Sequence, residues 1–98
     1  FGSENMVKKF ARKFLNDKTY PNLLAALEAQ DAEGAFRMAH TLKGICLNLG
    51  FDRLGEASIH LTELLRPRDL SVGYTPALAA VEQEYERTVH AIAELDPE

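Results

Sequence analysis

Apolar residues recur every three or four positions in five successive segments of the chain, and no stretch alternates with the two-residue period of a β-strand. The clearest apolar stripe consists of Leu78, Val81, Tyr85, Val89 and Ile92. Such spacing places apolar side chains on one face of a helix, which must then be buried against other helices. The pattern therefore predicts an all-α fold.

Capping residues and helix breakers divide the five segments. Asp31 and Asp52 are favourable N-caps, whereas Gly50 is placed to end a helix in the left-handed conformation. Pro67 stops a helix, and Pro76 suits the first turn of the last one. Because the links are short, we expect an antiparallel up-and-down four-helix bundle with an additional N-terminal helix packed on it. The predicted helices span residues 4–16, 20–30, 32–49, 53–66 and 76–95.

The first predicted helix is expected to begin at a cap and to bury one side. Ser3 is its predicted N-cap. Its apolar side is predicted to consist of Met6, Val7, Phe10 and Phe14.

Composition narrows the class of protein. With 98 residues, 46% of them hydrophobic and 27% charged, we expect one globular domain spanning residues 1–98. No apolar run approaches the roughly 20 residues needed to span a bilayer, and the charged amino terminus does not resemble a signal peptide. The single Cys46 excludes an internal disulfide, and the net charge of −4 argues against nucleic-acid binding. We expect a cytoplasmic protein and, since no methionine precedes Phe1, a fragment of a longer chain.

The third predicted helix carries a histidine on the side opposite its apolar face. At about 100° per residue, His40 projects away from the core, and Lys43, Gly44 and Leu47 follow it on the same side. Phe36 precedes His40 by one turn on that side. Two large apolar residues, Phe36 and Leu47, are therefore expected to face water unless a partner docks there. The alternative is that Phe36 and Leu47 pack against a neighbouring helix. The predicted core face comprises Ala35, Met38, Ala39, Leu42, Ile45, Cys46 and Leu49.

This surface cluster has the chemistry to accept a phosphoryl group. A neutral imidazole such as that of His40 is a nucleophile, and the phospho-imidazole it forms carries close to two negative charges. Lys43 can place an ammonium group on those oxygens as a mobile point charge. Gly44 lies in mid-helix, where glycine costs roughly 1 kcal/mol relative to alanine. We interpret that cost as the consequence of leaving room for the phosphoryl group and for its donor.

The same residues form a recognisable motif. Residues 40–44 read HTLKG, and residues 49–50 read LG. This string resembles the H-x-L-K-G and following L-G pattern of the histidine-containing phosphotransfer (HPt) domain family. The acidic helix start at Asp31 and the spacing of the next helix extend the resemblance over about residues 31–66 by motif, and helix order extends it to the whole chain.

The resemblance implies a four-helix bundle that relays phosphoryl groups between aspartates of receiver domains, without autophosphorylation or an ATP site. It implies that His40 is the phosphorylated residue, that Lys43 is its charge partner and that Gly44 provides clearance. Members often hold a glutamate or glutamine where this chain has Thr62, and that side chain hydrogen-bonds the other ring nitrogen. The expected docking residues are Phe36, Arg37, Thr41 and Leu47.

Partners and cofactors follow from the same resemblance. Response-regulator receiver domains and a hybrid histidine kinase are the implied partners. The chain is expected to be a monomeric carrier that contacts neither nucleic acid nor membrane. It is either free-standing or the soluble portion of a membrane-anchored kinase of this kind, and the missing start favours the second. Mg²⁺ is expected on the receiver only, and neither a cofactor nor a metal on this chain. The alternative is a helical module that docks a receiver or another signalling partner without being phosphorylated. A metal or haem bundle is disfavoured because His40, His60 and His90 lack ligand partners at i,i+4, and a hydrolase because no nucleophile motif is present.

Overall fold

The computed structural model describes residues 2–95, with side chains from Lys8 onward, and shows no strand in that range. The helices are α1 (Gly2–Phe14), α2 (Thr19–Glu28), α3 (Ala32–Leu49), α4 (Asp52–Leu65) and α5 (Thr75–Ala93). α3 packs against both α2 and α4, and α4 packs against α5. The prediction of an all-α helical bundle is confirmed, and every helix begins and ends within two residues of its predicted bounds.

Local interactions fix the ends of α3 as the sequence predicts. The Asp31 carboxylate accepts a hydrogen bond from the Gly34 amide at 2.9 Å, and Gly50 takes a left-handed backbone conformation with φ of 77°. The capping role predicted for Asp52 is wrong, because Phe51 is the N-cap of α4 and Asp52 is its first helical residue. There its negative charge still favours the amino-terminal end of the helix dipole.

Replacing Gly50 by alanine should destabilise the protein. The left-handed conformation costs an L-residue roughly 1–2 kcal/mol, and no atom lies within 4 Å of the position a Cβ would occupy, so the effect is conformational rather than steric. Thermal and urea denaturation measure the loss. Gly73→Ala is the matched control, since Gly73 is equally uncrowded but has no positive φ. Equal stabilities for the two variants would contradict this account of the α3 terminus.

Aromatic side chains join α1, α2 and α5. Tyr20 of α2 stacks on Tyr85 of α5, with ring centroids 4.0 Å apart. Phe14, the last residue of α1, packs against the same Tyr85 and against Phe51. The ring centroid of Phe14 lies 5.7 Å from that of Tyr85 and 5.2 Å from that of Phe51. Pairs of this kind contribute roughly 0.5–1.5 kcal/mol beyond the burial of their area. The additional N-terminal helix therefore packs on the bundle as predicted.

Two details predicted for α1 are wrong. α1 begins before Ser3, so that residue lies inside the helix and does not cap it. Phe10, predicted on the buried side, is 42% exposed because the helix turns Phe14 toward the bundle and leaves Phe10 at the edge of the contact. The side chains of Met6 and Val7, predicted for the same side, lie outside the described residues.

The core determines which side of α3 remains at the surface. The largest fully buried apolar side chains include Leu23, Leu42, Leu54, Leu61 and Leu65. The predicted core face of α3 is confirmed, with its centre fully buried and Met38, Ile45 and Leu49 partly buried at its edges. Burial raises the pKa of the Cys46 thiol to about 12, so this cysteine serves packing rather than nucleophilic chemistry.

Candidate functional site

His40 lies near the middle of α3, on the side facing solvent. The adjacent Ala39 and the nearby Leu42 are fully buried, which directs the imidazole away from the core. Its nearest aromatic neighbour is Phe36, with ring centroids 6.0 Å apart and planes inclined by 44°. Within the described residues no hydrogen bond or ion pair involves either ring nitrogen of His40. The predicted exposure is confirmed, and the nitrogens are accessible to an incoming group.

Lys43 and Gly44 follow His40 by one turn. Lys43 is half-buried and lies close enough to Glu63 of α4 to influence its charge. The hydrogen-bonded Arg66 guanidinium holds the pKa of Glu63 below its ordinary value, and Lys43 acts in the same direction. Gly44 has no atom within 4 Å of the position its Cβ would occupy, and its φ is not positive. Neither packing nor backbone conformation requires a glycine there, so the space beside His40 is open.

The exposed position predicted for Phe36 is wrong. Its side chain is 8% exposed and belongs to the core. The guanidinium carbon of Arg68 lies 3.9 Å from the centroid of the Phe36 ring, and that of Arg66 lies 5.3 Å away. The physical reason is that the chain after α4 folds back over the first half of α3, where cations over the ring face interact favourably with it. The alternative reading, in which Phe36 packs against a neighbouring element, is the correct one.

Thr62 does not make the contact that the resemblance implied. Its side chain is fully buried, and its hydroxyl donates a hydrogen bond of 2.6 Å to the carbonyl oxygen of Ser58 in the same helix. The hydroxyl oxygen could still accept a hydrogen bond, but it is buried whereas His40 lies on the exposed side of α3, so the two side chains do not meet. The side chain is short and β-branched, and its polar group is satisfied within its own helix. Thr62 is therefore a core residue, and its predicted contact with the phosphorylated histidine is corrected.

The other predicted docking residues lie at the surface. Leu47 is 57% exposed, and Arg37 and Thr41 of the same helix are also exposed. The end of the Leu47 side chain reaches toward α4, 3.5 Å from the position of a Cβ on Gly55. Ile59, one turn further along α4, is 37% exposed and was missed by sequence reasoning. The sequence could have indicated this exposure, because Ile59 lies outside the apolar stripe that α4 buries.

A groove of about 440 Å³ adjoins His40 and contains two residues that the sequence analysis missed. Arg66 and Arg68 flank Pro67, which the sequence marks only as a helix stop. A larger apolar hollow of about 570 Å³ lies between the start of α4 and the end of α5, but His40 does not line it, so the smaller groove belongs to the candidate site. We call it the arginine groove; it is lined by Phe36, Arg37, Met38, His40, Thr41, Arg66 and Arg68.

Helix lengths and side-chain clusters bear on two other kinds of site. Across residues 2–95, none of the helices combines the length and apolar character needed to cross a membrane. Among the side chains that the structure describes, from Lys8 onward, those of His, Cys, Asp and Glu do not gather in threes as a metal ion would require. The three histidines, His40, His60 and His90, lie on three different helices.

The geometry agrees with a comparison of the chain with protein-family models. The model described as Hpt domain matches residues 16–94, which include α2 to α5 and the whole candidate site. No curated protein and no solved structure matches the chain. The chain therefore belongs to the Hpt domain family, whose members act in phosphotransfer of two-component signalling and interact with receiver domains in phosphorelays.

Proposed function

We propose that this domain is a phosphorelay intermediate in which His40 accepts a phosphoryl group from the aspartyl phosphate of one receiver domain and passes it to another. The observation that carries the proposal is an exposed imidazole, without a hydrogen-bond partner in the described residues, beside the open space at Gly44. A nucleophile that must meet a phosphorylated aspartate of a second protein needs both accessible nitrogens and unobstructed approach. Docking without phosphate requires neither feature.

The proposed step is an in-line displacement at phosphorus. Nε2 of His40 forms the new N–P bond while the acyl O–P bond of the donor breaks and the receiver aspartate leaves as a carboxylate. The proton on Nδ1 can pass to solvent, because no described side chain holds that atom. Mg²⁺ on the receiver supplies most of the transition-state stabilisation, and this domain contributes the positioned nucleophile. Onward transfer reverses the same displacement on a second receiver.

The docking face consists of the exposed surface around the imidazole. Leu47 and Ile59 present apolar area on one side of it, and Arg37 and Thr41 lie on the other. An encounter that must form and dissociate in each transfer suits an interface at or below about 1,600 Å² in total. We infer that the domain acts as a monomer, with a hybrid histidine kinase and response regulators supplying the receivers.

Lys43→Ala should slow transfer and shorten the lifetime of the phosphorylated protein without preventing phosphorylation. The lysine is half-buried, and its positive charge also interacts with the Glu63 carboxylate. Its expected effect on the transfer barrier is therefore modest, on the order of 1 kcal/mol. Transfer kinetics and the decay of the phosphorylated form measure it. Lys9→Ala, on the exposed surface of α1, serves as the control. Wild-type rate and lifetime in Lys43→Ala would remove this lysine from the site.

The chemical stability of the bound phosphate tests the function itself. The protein is incubated with phosphorylated receivers from the same genome, and the transferred label is then exposed to acid and to alkali. A phosphohistidine is labile in acid and stable in alkali, an acyl phosphate is labile in alkali, and a phosphoserine survives acid. We expect the first behaviour. Binding of a receiver without any transfer of label would instead support the unphosphorylated docking module.

A further inference from the structure

Three arginines converge on the arginine groove although the chain as a whole carries a net charge of −4. Arg37 comes from α3, whereas Arg66 and Arg68 come from the segment that follows α4. The two latter guanidinium groups both lie over the ring of Phe36, at 5.3 and 3.9 Å from its centroid. Two like charges over one ring repel each other, so an anion in the groove would lower the electrostatic energy.

One carboxylate at the groove serves two of these arginines. Nε of Arg37 donates to Glu33 Oε2 at 2.9 Å, and Nε of Arg68 donates to Glu33 Oε1 at 3.0 Å. Both hydrogen bonds hold the pKa of Glu33 below its ordinary value, so the carboxylate is charged at neutral pH. A single negative charge between two guanidinium groups leaves a net positive charge at this end of the groove.

The second carboxylate is shared in the same way. Glu63 accepts hydrogen bonds from Nε and Nη2 of Arg66, at 3.0 and 2.6 Å, and also interacts with Lys43. Asp69, the next acidic residue along the chain, does not line the groove; its hydrogen bonds from the backbone amide and hydroxyl of Ser71 orient the carboxylate without removing its charge. Around the groove, four cations therefore face two carboxylates in the described contacts.

Arg68 is held in place before any partner arrives. Its backbone is left-handed, with φ of 56°, a conformation that residues other than glycine rarely adopt. Nη1 donates to the carbonyl oxygen of Arg66 at 2.8 Å, and the guanidinium group stacks on Phe36 while Nε bonds Glu33. Its side chain is nevertheless 41% exposed. A guanidinium group fixed in this way loses little conformational entropy when it binds.

We propose that the arginine groove binds a carboxylate-bearing segment of the receiver that docks on His40, and so selects among receivers. This inference rests on the proposed phosphotransfer function. The groove is lined by His40 itself, so a protein that reaches the imidazole also covers the guanidinium groups. Arginine forks match carboxylates in a bidentate geometry, and charges at the rim of an interface act mainly on the association rate and on partner choice. A receiver with a basic segment at this position is discriminated against by like-charge repulsion.

The test compares transfer kinetics of charge variants over a range of ionic strength, with a receiver that phosphorylates the wild-type protein. The double variant Arg66→Gln/Arg68→Gln should accept phosphate roughly tenfold more slowly at low salt, and its rate should depend less on salt. Arg66→Lys/Arg68→Lys should retain the salt dependence but recover the rate only in part, because the planar fork is lost. Arg53→Gln, an exposed arginine at the other end of α4, should behave as wild type.

A second variant guards against loss of folding, since Arg68 also covers Phe36. Arg37→Gln removes a side chain that is 70% exposed and bonds only Glu33 among the described residues. We expect an unchanged melting temperature and a smaller reduction of the transfer rate in the same direction. Wild-type rate and salt dependence in both the double glutamine variant and Arg37→Gln would overturn the proposed groove.

Phosphoramidate, a small phosphoryl donor, separates this inference from the proposed function. It needs no docking, so it should label wild type and the double glutamine variant equally at His40. Failure to label His40 in the wild type would overturn the proposed function and the groove with it. If the double variant instead loses its label faster while accepting it from the receiver at the wild-type rate, the arginines serve the phosphoryl group itself, and the receiver-binding groove is wrong.

Discussion

Replacing His40 by glutamine should abolish the uptake of phosphate from a phosphorylated receiver while leaving the helical content and the melting temperature nearly unchanged. Glutamine has no nucleophilic nitrogen at the required position. The imidazole is exposed and makes no hydrogen bond with the side chains and backbone that the structure describes, so its removal takes little from the folded state. Labelled receiver phosphate, followed on a denaturing gel, measures the uptake, and circular dichroism measures the fold.

Two other histidines provide matched controls for this substitution. His60 on α4 and His90 on α5 are exposed as well. Nε2 of His90 lies 3.1 Å from Oε2 of Glu94, a contact far along the chain from the candidate site. His60→Gln and His90→Gln should accept phosphate at the wild-type rate. If His40→Gln still takes label, or if one of the control variants loses it, the phosphoacceptor has been assigned to the wrong histidine.

Gly44→Gln should make the protein more stable and cripple transfer. A residue other than glycine in mid-helix stabilises by roughly 0.5–1 kcal/mol, which raises the melting temperature by a few degrees in a domain of this size. The open space around Gly44 means that the new side chain meets no atom of the folded protein near its Cβ. A side chain at this position leans toward the amino-terminal end of the helix, over the turn that carries His40. It therefore obstructs the phosphoryl group and the receiver.

Substitutions at Gly44 test its clearance role because they are expected to raise the stability of the protein while lowering its rate of phosphoryl transfer. Gly44→Ala should gain most of the stability and show an intermediate transfer rate. Ala79→Gln introduces the same side chain on the exposed surface of α5 and should leave transfer unchanged. A Gly44→Gln protein that is both more stable and fully active would show that the glycine has no clearance role.

The fold could be predicted because its determinants are local. The three- and four-residue spacing of apolar side chains identifies the helices, and Asp31 and Gly50 end α3 through contacts within one turn of the chain. Asp52 shows the limit of such reasoning, since a good capping residue one position too late becomes the first helical residue. The predicted helix bounds therefore differ from the observed ones by up to two residues, although every predicted helix is present.

The site was predictable only where it depends on one helix. The exposure of His40 and Leu47 follows from the angular position of each residue on α3, and the structure agrees with both. The burial of Phe36 does not follow from that position, because its ring packs in the core and beneath Arg68, which also bonds Glu33 from 35 positions away in the sequence. Helical spacing contains no information about such a contact.

Thr62 illustrates a different limit. Its position on α4 matches a family pattern, but the role attached to that position depends on the length and polarity of the side chain. A hydroxyl that is already bonded to the Ser58 carbonyl and fully buried does not reach the surface on which His40 lies. The resemblance identified the position, and the chemistry of the residue determined what the position does.

The central claim is that a phosphoryl group moves from a receiver aspartate to a ring nitrogen of His40. The most direct measurement is ³¹P NMR of a mixture of phosphorylated receiver and this protein, followed by peptide mapping at alkaline pH, where the tryptic peptide of residues 38–43 contains His40 as its only histidine. The account predicts that the acyl phosphate signal falls as a phosphohistidine signal rises, with the added mass on that peptide. Phosphate retained by every receiver tested, or added mass on any other peptide, would contradict it.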